Sequence, residues 1–322
     1  MAKPSEPKKR SHYTIKLNPE QMTRLQELLD GRLWAYHEVD YAHFGFKGEN
    51  VNVVGYESGK LVVQGKGTED FVTNILEAEI TGDPQLGYEE VHHPEWFEPH
   101  AGLDESGKGD LFGPLISATV IADGEAVKKW MAAGVRDSKA MGDREIMKAE
   151  KLIRETPRVV AELAYCGMAR YNELMAKPSA NLNRLLGWLH SKSLHAALKK
   201  RWVPRGLLDQ FSKRHWTREY LTQAEGAPEF QLDMRTKAES DPVVAAASIC
   251  ARAEYVRQMD KLSEAAGEPL LKGASAAVKA QAKRIVQQQG DAALANYAKL
   301  HFKTAYEARG LPVPKKPSFY KK

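Results

Sequence analysis

Residues 101–113 read Ala-Gly-Leu-Asp-Glu-Ser-Gly-Lys-Gly-Asp-Leu-Phe-Gly. An apolar strand start runs into two adjacent carboxylates, Asp104 and Glu105, and then a lysine held between glycines. The segment nearly matches a phosphate-binding loop, since Gly102, Gly107 and Lys108 keep the G-x-x-x-x-G-K spacing. Gly109, however, stands where a Ser or Thr would hold magnesium. Such a loop cradles its anion with bare backbone N–H groups, and two carboxylates inside it would repel that anion. With a divalent cation between them, the same carboxylates attract phosphate. The stretch therefore points to a metal site beside a phosphate.

The surrounding sequence alternates strands and helices, which indicates an α/β domain. Leu115–Ala122 is a nearly continuous apolar run fit for a buried strand, and Val159–Cys166 is another. A Lys/Glu-rich helix lies between them at about Arg144–Glu155, and a long helix is predicted over Asn181–Arg201. Gly206–Asp209 is a short apolar strand ending in an acid, and Pro242–Asp260 reads as a helix with small residues at its buried positions. From Leu270 to about Tyr306 the chain is predicted helical.

Burying a carboxylate costs several kcal/mol unless it is paired or binds a cation. An acid at the end of an apolar strand is therefore either a helix cap or part of a metal site. Both readings stand for Asp209. Capping serves less well for Asp104 and Glu105 together, because one helix end needs one cap, whereas a loop curling back there aims both at metal. A fourth acid comes from Thr236-Lys237-Ala238-Glu239-Ser240-Asp241-Pro242, where Glu239 or Asp241 joins the set. Ser240 or Asp241 before Pro242 is also an ordinary helix start. The stretch Ala246-Ala247-Ser248 lets this helix approach the sheet closely and brings its first acids near the strand ends.

Before residue 100 the pattern differs. Tyr13–Leu17 alternates as a strand, and Asn18-Pro19 opens a helix that ends at Gly31. Short strands follow at Ala42–Lys47, Asn50–Tyr56 and Lys60–Gly65, then a helix from about Thr68 to Leu76. This is a small α+β domain over residues 13–80, with Tyr41, Phe44, Phe46, Lys47, Lys60 and Lys66 mixing aromatic and basic character. Alternation puts Phe44 and Phe46 on one face, that of the core. Residues 1–12 read as a disordered basic arm, 81–99 as a linker, 100–310 as the larger domain and 311–322 as a basic tail. His92, His93 and His100 are expected to be exposed rather than metal ligands.

The chain has 322 residues, a formal net charge of +5 and two cysteines, Cys166 and Cys250. Mild basicity, with pI near 8.9, permits an anionic partner without requiring one. Two cysteines are too few for a disulfide framework or a thiolate zinc site, which fits a reducing compartment. No apolar run approaches the roughly 18 residues of a membrane span, and the Lys-rich start lacks the apolar core of a signal peptide. A cytoplasmic protein, probing no membrane, is the expectation.

Taken together, Asp104-Glu105-Ser106-Gly107-Lys108-Gly109-Asp110, Asp137-Ser138-Lys139, Asn181-Leu182-Asn183, Leu208-Asp209-Gln210-Phe211 and Thr236-Lys237-Ala238-Glu239-Ser240 resemble the motifs of bacterial ribonuclease HIII, a type 2 ribonuclease H. The resemblance spans about Tyr13 to Arg252. It implies a ribonuclease H-like catalytic domain, a mixed sheet with flanking helices, preceded by a small α+β domain similar to the TATA-binding protein. It further implies a monomeric endonuclease that cuts the RNA strand of RNA–DNA hybrids with two Mg²⁺ or Mn²⁺ ions, leaving 3′-hydroxyl and 5′-phosphate ends. The catalytic acids it implies are Asp104, Glu105, Asp209 and Glu239: Asp104 shared between metals, Glu105 and Asp209 binding one each, and Glu239 serving the metal of the attacking water. The stretch from Glu239 to Ser248 is about one residue shorter than the family pattern, which leaves Asp241 as the alternative fourth acid. Substrate contacts fall to Ser106, Gly107, Lys108, Gly109, Ser138, Lys139, Asn181 and Asn183, although an exposed loop at Ser138-Lys139 and a helix cap at Asn181 are equally open. Lys108 between its glycines favours the HIII class over its HII relatives, which carry Arg there. An integrase-like two-metal nuclease and a non-catalytic hybrid-binding module are the competing readings.

Overall fold

The structure is a computed structural model that describes residues 11–83, 89–135, 138, 141–222 and 229–314. Most of the basic arm, Lys139 and the last residues of the tail lie outside the described residues. The chain divides into two compact units near Phe97-Glu98.

The first unit is an antiparallel sheet of five strands in the order β1-β5-β4-β3-β2, covered by helices. The strands are β1 (His12–Lys16), β2 (Ala35–Tyr36), β3 (Ala42–Gly48), β4 (Val51–Tyr56) and β5 (Lys60–Gln64). Helix α1 (Pro19–Gly31) starts where the sequence places it. Asn18 accepts a bond from Gln21 N while the Gln21 side chain returns one to Asn18 N, and Pro19 fits the first turn. Helix α2 (Thr68–Phe71) runs on into the wider turns of a π-helix, Val72–Thr81. Met22, Leu25 and Leu29 from α1 and Val72, Leu76 and Ile80 from the π-helix meet Phe44, Phe46, Val53, Leu61 and Val63 of the sheet. Phe44 and Phe46 are each 1% exposed and are core residues. On the opposite face His12, Gln64, Asn52 and Lys47 line up across four strands and Lys16 pairs with Lys60, on either side of a row that holds the buried Val54. A short helix, α3 (Glu89–His92), closes the unit.

The second unit is built on a mixed sheet in the order β10-β9-β6-β7-β8, comprising β6 (His100–Ser106), β7 (Ile116–Ala122), β8 (Val160–Tyr165), β9 (Arg205–Asp209) and β10 (Gln231–Arg235). β6 pairs antiparallel with β7 and parallel with β9, and β9 in turn pairs parallel with β10. The sequence gives no warning of β10. Its alternation is short and follows a polar stretch, and tertiary pairing with β9 decides its conformation. Helices α4 (Gly124–Ala132), α5 (Asp143–Glu155), α6 (Met168–Met175), α7 (Leu182–Lys200) and α8 (Trp216–Thr222) come before α9 (Pro242–Ala266). α7 packs on β7 and β8, and α9 packs on β6 and β7. The region predicted as one helical run is three pieces, α10 (Ala276–Gln289), a 3-10 turn Asp291–Asn296 and α11 (Lys303–Ala308), because Gly290, at φ +88°, ends α10.

The small-residue surface of α9 does what its sequence suggests. α9 lies so close to β6 that a Cβ on Gly102 would sit 2.3 Å from the carbonyl carbon of Val243 and 2.4 Å from Val244 N. No side chain fits there without moving a backbone. We therefore expect Gly102→Ala to lower stability by at least about 1–3 kcal/mol in chemical denaturation, the usual range for overpacking. Gly109→Ala, with nothing within 4 Å of the added carbon, should leave stability within about 0.5 kcal/mol.

Candidate active site

The β6–β9 register runs Ala101 to Gly206, Gly102 to Leu207 and Leu103 to Leu208. The next residue on each strand is Asp104 and Asp209. Two carboxylates are thus delivered side by side by the ends of two apolar strands. Asp104 is 9% exposed, and burial, with Glu105 and Asp209 nearby, pushes its carboxyl up to about 7. Bonds from the Ser248 side chain and from Glu105 N, the latter at 2.8 Å, pull the other way.

Asp104 and Glu105 are consecutive residues of a strand, not of a curled loop as expected. Their side chains leave the sheet on opposite faces. Asp104 meets Ser248 on α9, whereas Glu105 meets His190 on α7, its Oε2 standing 3.2 Å from His190 Nε2. Glu105 Oε1 lies 3.5 Å from Lys108 Nζ, which also reaches the Phe211 carbonyl at 3.4 Å and lies 5.1 Å from the centre of its ring.

The remaining acids separate cleanly. Asp209 Oδ1 accepts from Ala238 N at 2.9 Å, so the end of β9 is tied to the turn that carries Glu239. That turn is made by Lys237 at φ +60° and the 3-10 helix Ala238–Ser240, and Glu239 is half-buried in it. Asp241 is occupied elsewhere. It is 1% exposed, caps α9 through Val243 N at 2.8 Å and Val244 N at 3.3 Å, and lies 3.1 Å from His100 Nε2 through both oxygens. His100, expected to be exposed, is fully buried at the start of β6, with its Nδ1 2.7 Å from Glu98 O. Its ring is the counterpart of an acid that no linear reading pairs with it.

The glycine loop after β6 is held from three distant segments. Lys299 Nζ donates to Asp110 O at 2.8 Å and to Gly113 O, Tyr255 Oη donates to Phe112 O at 3.0 Å, and Asp110 Oδ1 accepts from Gly273 N at 2.5 Å. Gly107, at φ +83°, has Pro114 O and the Tyr255 ring where a Cβ would go. Gly109 is exposed, while Lys108 and Ser106 are partly so. Ser138 is 4% exposed rather than on an open loop, and its Oγ lies 2.8 Å from Ser248 Oγ, one bond removed from Asp104. Asn181 caps α7 through Arg184 N at 3.1 Å, and Asn183 is partly buried in the first turn. His190 has no place in the sequence motifs, and Phe211 and Ser248 enter them only as motif members without a role at the site. A histidine on the apolar side of α7, among Leu186, Leu189, Leu194 and Ala197, was the available signal.

Among the described residues no three acidic, histidine or cysteine side chains are gathered tightly enough to hold an ion together. The donor set is nonetheless of the right kind for one. Asp104, Glu105 and Asp209 offer only hard oxygens, the preference of Mg²⁺ and Mn²⁺, and their mutual repulsion on Asp104 is what a divalent cation relieves.

Comparison with known proteins agrees with this architecture. The ribonuclease HII family model matches residues 101–305, and a domain of unknown function (DUF3378) matches residues 12–83. The chain therefore belongs to the ribonuclease H enzymes, in their ribonuclease HIII branch. A protein named ribonuclease HIII from Chlamydia abortus is 35% identical over 302 residues, covering 92% of this chain and 96% of that protein. The structure of Bst-RNase HIII in complex with Mn²⁺ is similar with a TM-score of 0.64 at 29% identity, over 93% of this chain and 98% of that one. Aquifex aeolicus RNase H3, at 23% identity and a TM-score of 0.52 over 90% of this chain and all of that one, shares the fold.

The two acids near the start of α9 predict opposite phenotypes. Asp241→Ala should cost roughly 3–5 kcal/mol, because it strands His100 in the interior and uncaps α9. Glu239→Gln should leave the melting temperature within a few degrees of wild type and abolish cleavage. Thermal melts and a cleavage assay on both variants check the assignment.

Proposed function

We propose that this enzyme hydrolyses the RNA strand of RNA–DNA hybrids as an endonuclease, leaving 3′-hydroxyl and 5′-phosphate ends. The observation that carries the reading is the in-register delivery of Asp104 and Asp209 to the ends of β6 and β9, with Glu105 next to Asp104 and Lys108 beside it on a pinned glycine loop. Asp104, Glu105 and Asp209 would hold Mg²⁺ or Mn²⁺, with Glu239 as the fourth acid rather than the structurally committed Asp241. Bound there, a pair of such ions supplies an activated water and neutralises charge on the phosphate. The protein's share is to orient and to select.

Lys108 meets the phosphate of the strand to be cut, exchanging its contact with Glu105 for one with the anion. Gly107 and Gly109 carry no side chains, so backbone groups approach the minor groove where the 2′-hydroxyls of RNA lie. Ser106, Lys139 and Asn183 complete the strand contacts. Ser138 acts through Ser248 instead, and Asn181 serves α7 as its cap. Residues 100–310 form the catalytic domain and 13–80 the substrate-binding domain, joined by 81–99. The sheet face with His12, Lys16, Lys47, Lys60 and Gln64 grips the duplex in a sequence-independent, salt-sensitive manner. The enzyme works as a monomer in the cytoplasm. Among the described residues no helix is long and apolar enough to cross a membrane.

Incubation with Mn²⁺ or Mg²⁺ and labelled RNA–DNA, DNA–DNA and RNA–RNA duplexes tests the reading. Only the hybrid should be cut, and only in its RNA strand; cleavage of the all-DNA duplex would favour an integrase-like nuclease. Asp104→Asn should slow cleavage by on the order of 10³-fold, the equivalent of several kcal/mol of charge stabilisation, with hybrid affinity kept.

A further inference from the structure

His190 is fully buried on the side of α7 that faces the sheet. Its Nε2 is 3.2 Å from Glu105 Oε2 and its Nδ1 2.8 Å from Ser117 Oγ. An ionised carboxylate only accepts, so the first contact requires the proton on Nε2. In a neutral ring Nδ1 is then an acceptor, and the Ser117 hydroxyl must donate to it. The chain continues inward. Ser117 Oγ is 3.0 Å from Ser193 Oγ, whose single proton is shared between Ser117 Oγ and His190 O at 3.1 Å, while Thr119 Oγ1 lies 2.8 Å from Ser193 Oγ.

All four side chains are fully buried, between an otherwise apolar helix face and an apolar strand. Packing alone gives no reason for them, because an apolar filling avoids their desolvation altogether. The chain reaches the acids at Glu105. Phe211 stacks on the His190 ring at 5.4 Å and 23°, which fixes its plane. The two oxygens of Glu105 are thereby divided: Oε2 is held from below by an immobile ring, and Oε1 faces the long, partly exposed arm of Lys108.

We propose that His190, its ring plane fixed by Phe211, is a positioning residue that holds Glu105 in place while Lys108 leaves for the substrate phosphate. Without it the carboxylate follows the lysine, and the acid set loosens whenever substrate arrives. The inference rests on Glu105 being a metal ligand, so its test separates the two.

Mn²⁺ binding to the full chain is measured by titration calorimetry without nucleic acid, for wild type, Glu105→Gln, His190→Leu and His190→Gln. His190→Leu should bind Mn²⁺ on the order of 10-fold more weakly. It should need correspondingly more Mn²⁺ for half-maximal cleavage and bind hybrid in metal-free buffer as wild type does. His190→Gln, whose amide N–H can reach the same oxygen, should recover most of the loss. If Glu105→Gln loses Mn²⁺ binding and His190→Leu keeps it, the positioning role is overturned. A wild-type chain that takes up no Mn²⁺, or a Glu105→Gln variant that binds it normally, overturns the site reading beneath. Should His190→Leu fail to fold, His190→Asn carries the test, since its shorter amide keeps a polar group toward Ser117 but cannot reach Glu105: weaker Mn²⁺ binding supports the role, and unchanged binding refutes it.

Discussion

The parallel pairing of β6 with β9 is the constraint on which the site depends. Strand pairs are read in steps of one residue, and a slip by one position turns each side chain to the other face. Here the register is fixed by Leu103 against Leu208, both fully buried, and by Gly102, which seats α9 at a distance no other residue permits. The aspartates that follow are carried into adjacency by this apolar pairing, against their own repulsion. The hydrophobic core thus supplies the free energy that the acid cluster costs.

Around that pair each layer of the unit contributes something distinct. α9 brings Ser248 to Asp104 and, through its cap, locks Asp241 and His100 together beneath the strands. α7 brings His190 to Glu105. The segments near Gly273 and Lys299 hold the glycine loop from behind, so Lys108 projects from a backbone with little freedom while its own side chain stays adjustable. A rigid backbone carrying one partly exposed cation suits the proposed exchange of an internal partner for a substrate anion.

Much of this was legible in the sequence because periodicity and special residues carried it. The Asn18-Pro19 start of α1, the apolar strand Leu115–Ala122 and the small-residue face of α9 each follow from local rules, and the resemblance supplied the order of the acids. What was not legible is long-range. His100 looked like one of several linker histidines until its partner, 141 residues away, came into view. Asp241 looked interchangeable with Glu239 because both lie in one short segment. Only the cap geometry and the buried imidazole separate them. Ser138 gave no sign of facing inward, and β10 is a strand only because β9 lies beside it.

The orientation of Asp104 and Glu105 to opposite sides of one strand has a consequence for how the activity arises during synthesis. Neither helical layer alone surrounds the acids, and β9, the Glu239 turn and α9 are the later parts of the chain to emerge. On the proposed assignment, a nascent or truncated polypeptide ending before about residue 250 carries the Asp-Glu dipeptide without the later parts of the centre. Under that assignment cutting power would appear only with completion of the fold, and an unfinished chain would pose no hazard to the nucleic acid around it.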